Sequence, residues 1–299
     1  MDRVRVVTAS ARAKGFSKLS YFLDAIKFQE SVFALPFAYI GMVLAEKGFP
    51  TLSQFIWITV AMVSARTVGM IANRIIDRKI DAKNPRASFR HLPAGLLTVS
   101  DLTIPGLAAF CVFMVAAWML NNLAFILAPI AAVYLVAYPY TKRFTWSANL
   151  LLGWALAIAP SAAWIGVTGS LTWQPVLLSS SVALWAGSFD IIYHCQDIEF
   201  QSREGLHSVA RKFGVHTAFR IAKLLDICAL ICLTSLGIWM ELTAPYYASC
   251  LIAGCFLGYK YKLVKPDDLT RLGMAFMRIN AFVSLTMLLG TSLSVFVWK

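Results

Sequence analysis

The sequence predicts an all-α fold, a polytopic membrane bundle of nine transmembrane helices, and three observations carry that prediction. Of the 299 residues, 59% are hydrophobic and 14% charged, and the mean hydropathy is +0.68; an average soluble domain has roughly 45–50% apolar and 25% charged residues. Uncharged runs of about 20 residues recur from Ser31 to Val297, each long enough to cross a hydrocarbon core about 30 Å thick. Lys and Arg gather in alternate connections between the runs, as cytoplasmic loops do. A soluble fold, a disordered chain and a disulfide-stapled domain are excluded. So is a porin-type barrel, whose strands alternate in segments of about 10 residues.

In chain order the spans are expected near Phe28–Ala45, Leu52–Ala72, Ile104–Leu120, Ala124–Tyr138, Leu150–Val167, Pro175–Ile192, Phe219–Met240, Tyr246–Tyr261 and Met274–Val297. With the N-terminus in the cytoplasm, 24 of the 27 basic residues fall in the tail and the inside connections, Lys260 counted among them. Lys47 and Lys299 fall outside and Arg66 lies within the second span. The net charge of +12 therefore reads as membrane topology in the cell membrane, and no nucleic-acid partner is expected. Nothing in the sequence calls for an obligate protein partner. Residues 1–20 read as a basic cytosolic tail rather than a transit peptide, on a single domain covering 1–299. Five of the six cysteines lie inside apolar runs, Cys195 lies just beyond one, and no CxxC pair exists; neither a zinc site nor a disulfide framework is indicated.

Carboxylates at or inside apolar spans are expensive, so their positions point to function. The second span ends in Asn73-Arg74-Ile75-Ile76-Asp77-Arg78-Lys79-Ile80-Asp81; Asn73, Asp77 and Asp81 recur at helical spacing and stack on one face. The sixth ends in Asp190-Ile191-Ile192-Tyr193-His194-Cys195-Gln196-Asp197, followed by Gln201. A continued helix would put Asp190, Tyr193, His194, Asp197 and Gln201 on one face. Four intervening spans bring both clusters to the same membrane surface, the cytoplasmic one by the charge rule. Paired acidic faces at one depth describe a site for hard divalent cations, and Mg²⁺ takes carboxylate oxygens, waters and a phosphate.

The sequence also places cations beside the acids. Arg86 and Arg90 follow the first cluster, and Lys142 and Arg143 follow Tyr138-Pro139-Tyr140-Thr141. Arg offers phosphate a bidentate fork and Lys a point charge. Acids, bases and metal at the mouth of an apolar bundle suit an amphiphile with a diphosphate head and a hydrocarbon tail. Arg66, seven residues before Asn73 and on the same face, needs an anionic partner; a buried acid such as Glu30 is one option. Lys260, Lys262, Lys265, Asp267 and Asp268 read as an ordinary loop, and His207 and His216 as solvated groups. His91 reads as ordering the first polar loop. Asp226 pairs with Lys223 or faces the cavity.

These residues resemble the UbiA superfamily of intramembrane aromatic prenyltransferases. The NRxxDxxxD motif is complete in Asn73 to Asp81, Asn84-Pro85-Arg86 and Leu92-Pro93-Ala94-Gly95 fit downstream, and Asp190, Tyr193 and Asp197 match DxxYxxxD. The resemblance extends over nearly the whole chain, including Phe33-Ala34-Leu35-Pro36-Phe37. It is strongest to the 4-hydroxybenzoate polyprenyltransferase branch and its relatives in futalosine-route menaquinone synthesis. One position departs from the pattern: Gln201 stands where those relatives usually carry an aspartate, which implies weaker metal affinity on that wall.

The resemblance implies that Asn73, Asp77 and Asp81 bind one Mg²⁺, with Asp190, Asp197 and Gln201 on the opposite wall. It implies that Arg86, Arg90, Lys142 and Arg143, with Tyr138 nearby, hold the diphosphate. Arg66 would take the acceptor's carboxylate, with Tyr193 beside the acceptor. The implied reaction ionises a polyprenyl diphosphate to an allylic carbocation, which a small aromatic acceptor attacks. Asp190 would polarise the phenol, and Asp77, Asp81 and Asp197 would support departure of diphosphate. Haem O synthase, chlorophyll synthase and archaeal glycerolipid prenyltransferase activities are alternatives within the class. A cation-coupled secondary transporter is the alternative outside it.

Overall fold

The computed structural model describes residues 15–297, the side chains of residues 15–17, 28–34 and 274–277 excepted. The helices are α1 (Gly15–Ala25), α2 (Phe28–Glu46), α3 (Leu52–Lys83), α4 (Val99–Leu120), α5 (Asn122–Ala137), α6 (Ala148–Thr168), α7 (Trp173–His194), the short α8 (Ile198–Arg203) and α9 (Val209–Phe213), α10 (Val215–Trp239), α11 (Ala244–Leu263) and α12 (Leu272–Phe296). A 3-10 turn, Tyr138–Arg143, follows α5. No strand forms among the described residues. The first 14 residues of the expected tail lie outside the described residues, whereas Gly15 to Ala25 is helical and docked. Tyr21 and Phe22 pack beside Ile71, Leu97 and Leu102, and Arg74 Nε donates to Ala25 O at 2.9 Å.

The starts of α3, α4 and α5 are closed by side chains, which satisfy amides that have no partner within the helix. Thr51 and Gln54 form a reciprocal capping box at α3, and Thr98 and Asp101 form one at α4. Asn121 Oδ1 accepts from the Ala124 amide at 2.9 Å to cap α5. The α3 helix runs for 32 residues, about 48 Å at 1.5 Å per residue, and so outruns a hydrocarbon core of about 30 Å. Its last turns, with the acidic face, project to the headgroup level. It stops at Asn84, before Pro85, because a residue preceding proline disfavours the helical region.

Seven helices among the described residues are long and apolar enough to cross a membrane. The expected first and eighth spans fall on α2 and α11, which are helical but outside that group. The apolar described part of α2 is the short stretch Leu35–Glu46, and Pro245, the tyrosines and Lys260 lower the hydropathy of α11.

Small residues set the helix spacing, as is usual where backbones approach closely in lipid. A Cβ at Gly153 on α6 would strike the Ala183 carbonyl of α7, and one at Gly41 on α2 would strike the Pro160 carbonyl of α6. The helices α7, α10 and α11 share a buried polar quartet instead. Lys260 Nζ donates to Asp226 Oδ2 at 2.7 Å and to Ser188 Oγ at 3.2 Å, and Tyr261 OH donates to Asp226 Oδ2 at 2.6 Å. Lys260 is therefore not a loop residue as the charge count had it: it is 4% exposed within α11, and Asp226, 3% exposed, is its counterion. Lys223 lies over the Tyr261 ring rather than on Asp226. In the following turn Asp268 accepts from the Thr270 amide and hydroxyl, which hold its carboxyl below the usual carboxylate range.

Two expected outcomes test this packing. Gly153→Val should push α6 off α7 and lower stability by about 1–3 kcal/mol. Gly258→Ala, where a Cβ meets nothing within 4 Å, should be neutral or gain up to about 1 kcal/mol. Thermal unfolding in detergent compares the pair, and equal shifts would remove the close-approach argument. Lys260→Met should cost about 3–5 kcal/mol by stranding a buried carboxylate, and most of that should return in Lys260→Met/Asp226→Leu. The same unfolding measurement applies, and a harmless single variant would refute the ion pair.

Candidate active site

The α3 face forms as its spacing predicts. Asn73 Nδ2 donates to Asp77 Oδ2 at 3.1 Å, one turn apart on an unbroken helix. Asp77 and Asp81 are 2% and 6% exposed, and cations from elsewhere reach them. Lys142 Nζ lies 2.6 Å from Asp77 Oδ2, and Arg143 Nη2 lies 3.8 Å from Asp77 Oδ1 and 2.8 Å from the Ile76 carbonyl. Arg90 Nη1 lies 2.7 Å from Asp81 Oδ2. The 3-10 turn makes the first contacts possible by carrying both Lys142 and Arg143 to α3. Asp77 Oδ1 is buried with no hydrogen-bond partner.

The second cluster departs from its expected register. Helix α7 ends at His194, a 3-10 turn covers Cys195–Asp197 and α8 starts afresh. Asp190 to Gln201 therefore do not form one continuous helix face: the run turns polar from His194 and the chain leaves the apolar bundle there. The loop after α3 still meets this wall. Arg86 Nη1 lies 2.8 Å from Asp197 Oδ1, and the Arg86 guanidinium sits 5.0 Å from the Tyr193 ring centroid. Arg86 is presented by an Asx turn in which its amide donates to Asn84 Oδ1 at 2.9 Å. Gln201 is buried and otherwise engaged: Ser208 Oγ donates to its Oε1 at 2.5 Å, and the same Ser208 caps α9.

Asp190 is fastened by Asn149, which sequence reasoning did not single out, and by His194, which it placed on the same face. Asn149 Nδ2 donates to Asp190 Oδ2 at 2.7 Å, while Asn149 Oδ1 accepts from the Val209 amide at 3.1 Å. His194 Nδ1 lies 3.2 Å from the same carboxylate oxygen. The available signal was an asparagine at the start of an otherwise apolar span, which is costly unless fully bonded. His91, expected to order the first loop, contacts the Tyr21 ring and lies 3.6 Å from Asp24. His207 is exposed, and His216 is exposed and lies 3.6 Å from Asp267.

Beside this polar wall lies an apolar cavity of about 580 Å³, lined by residues such as Phe37, Met62, Leu135, Leu152 and Trp185, within the usual size of ligand pockets. Arg66 lines it, about 10 Å below Asn73 along α3. Tyr138 joins cavity to wall: it lines the cavity and it opens the turn that delivers Lys142. Glu30, the alternative partner for Arg66, lies outside the described side chains.

No group of three or more His, Cys, Asp or Glu converges as a ready metal cage among the described residues. Mg²⁺ needs no such cage, since one or two carboxylates with waters and a substrate phosphate suffice. The donors on α3 meet that requirement: Asp77 and Asp81 present carboxyl oxygens, and Asp77 Oδ1 is buried with no hydrogen-bond partner.

The UbiA prenyltransferase family model matches residues 34–285. The chain belongs to the UbiA prenyltransferase family. It is similar to the 4-hydroxybenzoate octaprenyltransferase of Vibrio cholerae serotype O1, 30% identical over 259 residues, which cover 85% of this chain and 89% of that one. The enzyme of the same description from Francisella tularensis subsp. novicida is 28% identical over 242 residues, covering 81% and 83%. Among solved structures, the apo form of a UbiA homolog from Aeropyrum pernix K1 superposes with a TM-score of 0.80 at 26% identity, covering 88% of this chain and 96% of that one. A UbiA homolog from Archaeoglobus fulgidus bound to GPP and Mg²⁺ shares the fold, with a TM-score of 0.63 at 18% identity and coverage of 89% and 99%. The chain is thus a multi-pass prenyltransferase on a helical bundle.

Within this UbiA bundle, Asn149→Ala should strand both the Val209 amide and one bond to Asp190. The expected destabilisation is about 1–3 kcal/mol, read from thermal unfolding in detergent, and an unchanged midpoint would show that the bridge carries no load.

Proposed function

We propose that the chain transfers a polyprenyl group from an allylic polyprenyl diphosphate to a hydroxylated aromatic carboxylate, 4-hydroxybenzoate or a dihydroxynaphthoate, in ubiquinone or menaquinone synthesis. The observation that carries this reading is a single continuous site: Arg66 inside the apolar cavity, Tyr138 at its rim, and the Asp77–Lys142 pair beyond. A hydrocarbon tail belongs in the first part, a carboxylated ring beside Arg66, and a diphosphate among the cations. The named activity of the Vibrio and Francisella relatives supports the same choice. The positive-inside pattern supports a cell membrane location with the site open to the cytoplasm.

In this reading Asn73, Asp77 and Asp81 hold Mg²⁺, with Asp190 and Asp197 on the facing wall. Mg²⁺ bound there supplies Lewis-acid neutralisation of the diphosphate's charge. Lys142, Arg143, Arg86 and Arg90 grip the diphosphate oxygens, and their fixed charges stabilise the leaving group where charge develops. The allylic C–O bond breaks with its electron pair leaving on diphosphate. The apolar cavity keeps water from the resulting cation. Arg66 holds the acceptor's carboxylate, Tyr193 flanks the ring and Asp190 accepts a hydrogen bond from the phenol, raising electron density at the adjacent carbon. That carbon attacks, and loss of its proton restores the aromatic ring.

Membranes carrying the protein, incubated with labelled geranyl or farnesyl diphosphate, Mg²⁺ and either 4-hydroxybenzoate or 1,4-dihydroxy-6-naphthoate, should form prenylated acceptor. EDTA should abolish product, and Asp77→Ala should lower turnover by about 10²-fold or more. Arg66→Leu should raise the KM for the acceptor by roughly 10- to 100-fold, the loss of one charge-assisted contact, with a smaller change for the diphosphate. No product with either acceptor across donors of several lengths would overturn the proposal.

A further inference from the structure

Behind the acidic face, on the other side of α3, a second cleft of about 540 Å³ is lined by Arg78, Lys79, Arg143, Tyr140 and Glu204 over an apolar floor that includes Ile76. Its charge is strongly one-sided. Glu204 is already neutralised by Lys83 at 2.6 Å. Arg78 and Lys79 are exposed and neither pairs with a carboxylate among the described residues; Arg78 donates only to the Ile75 carbonyl, at 3.0 Å. Arg143 stacks on Tyr140 at 4.9 Å, and its Nε is buried without an acceptor. Arg143 turns its Nη2 to the Ile76 carbonyl, 2.8 Å away, and to Asp77, 3.8 Å away, so the uncompensated charge of the hollow is that of Arg78 and Lys79, which repel each other unless an anion sits between them.

The depth of the cleft says which anion. Arg78 lies about 39 Å along α3 from Leu52 at 1.5 Å per residue. That is beyond a hydrocarbon core of about 30 Å but within the about 40–45 Å that includes the headgroups. Tyr140, 41% exposed, has the amphipathic ring that favours this interface. A phosphoryl group fits the cations, as either a free ion or a lipid phosphodiester would. The isoleucine floor and the exposed tyrosine contribute only if acyl or glycerol carbon comes with the phosphate.

We propose that this cleft binds the phosphodiester headgroup of an anionic phospholipid. The phosphate sits among Arg78, Lys79 and the outer edge of Arg143, and the glycerol end lies on Tyr140 and the isoleucines. Arg143 borders both sites, whereas Arg78 and Lys79 take no part in the catalytic assignment, so substitutions at these two separate lipid binding from prenyl transfer.

The test uses the full chain in nanodiscs of phosphatidylcholine with a minor share of phosphatidylglycerol, and mass spectrometry of the lipid that remains bound. Wild-type protein should retain phosphatidylglycerol over phosphatidylcholine by about tenfold or more relative to the disc, given about 1 kcal/mol per basic residue at an anionic surface. Arg78→Gln/Lys79→Gln should lose that enrichment while keeping wild-type prenyl transfer in phosphatidylcholine alone. The charge-preserving Arg78→Lys/Lys79→Arg should retain the enrichment. Enrichment that persists in the double glutamine variant would overturn the proposal. So would inorganic phosphate binding that the double variant loses while lipid enrichment stays unchanged, since the cleft would then belong to a free anion.

Discussion

Every carboxylate placed at or within a span of this bundle must find a partner without the help of bulk water, and most of the site follows from that constraint. Asp77 finds Lys142, 65 residues away. Asp190 finds Asn149, 41 residues away, and Asp226 finds Lys260, 34 residues away. Asp81 finds Arg90 and Asp197 finds Arg86. Several kcal/mol rest on each buried charge, more than any single apolar contact provides. The pairs therefore act as long-range rivets: α3 to the turn after α5, the loop after α3 to the end of α7, α6 to α7, and α10 to α11.

The 3-10 turn Tyr138–Arg143 shows how local geometry serves that requirement. Pro139 has no amide to donate and enters near the first position of the turn, where none is needed. In the tighter turn both reach the end of α3, Lys142 to the Asp77 carboxylate and Arg143 to the Ile76 carbonyl. One short segment thereby closes the cavity through Tyr138 and neutralises the acid face.

Legibility in the sequence followed the range of the interaction. Asn73, Asp77 and Asp81 were readable because α3 stays helical to Lys83 and the 3.6-residue period holds throughout. The Asp190–Gln201 face was not, since α7 stops at His194 with no proline or glycine to announce it. Lys260 was misread as a loop residue because charge counting is local, while its partner lies on another helix. Asn149 stands one residue before the expected Leu150–Val167 span and carries no motif, and only the tertiary fold brings Asp190 and Val209 to its two ends. Charge and hydropathy revealed the class of fold; the pairing of distant polar groups needed coordinates.

The charge balance of the proposed site explains why metal and diphosphate belong together there. Asp77, Asp81 and Asp197 face Lys142, Arg143, Arg90 and Arg86, while Asp190 is held by Asn149 and His194, so the chain's own carboxylates and cations nearly cancel. A diphosphate entering alone would compete with the carboxylates for the same cations and leave buried negative charge behind. A divalent cation entering alone would displace Lys142 from Asp77 and leave buried positive charge. Entering as a pair, the metal would take the carboxylates while the released cations would take the phosphate oxygens, and far less net charge would be stranded in a low-dielectric wall. Gln201 fits the same account. An amide there adds no charge to the α7 wall, its carbonyl accepts from the Ser208 that caps α9, and Arg86 pairs with Asp197 beside it.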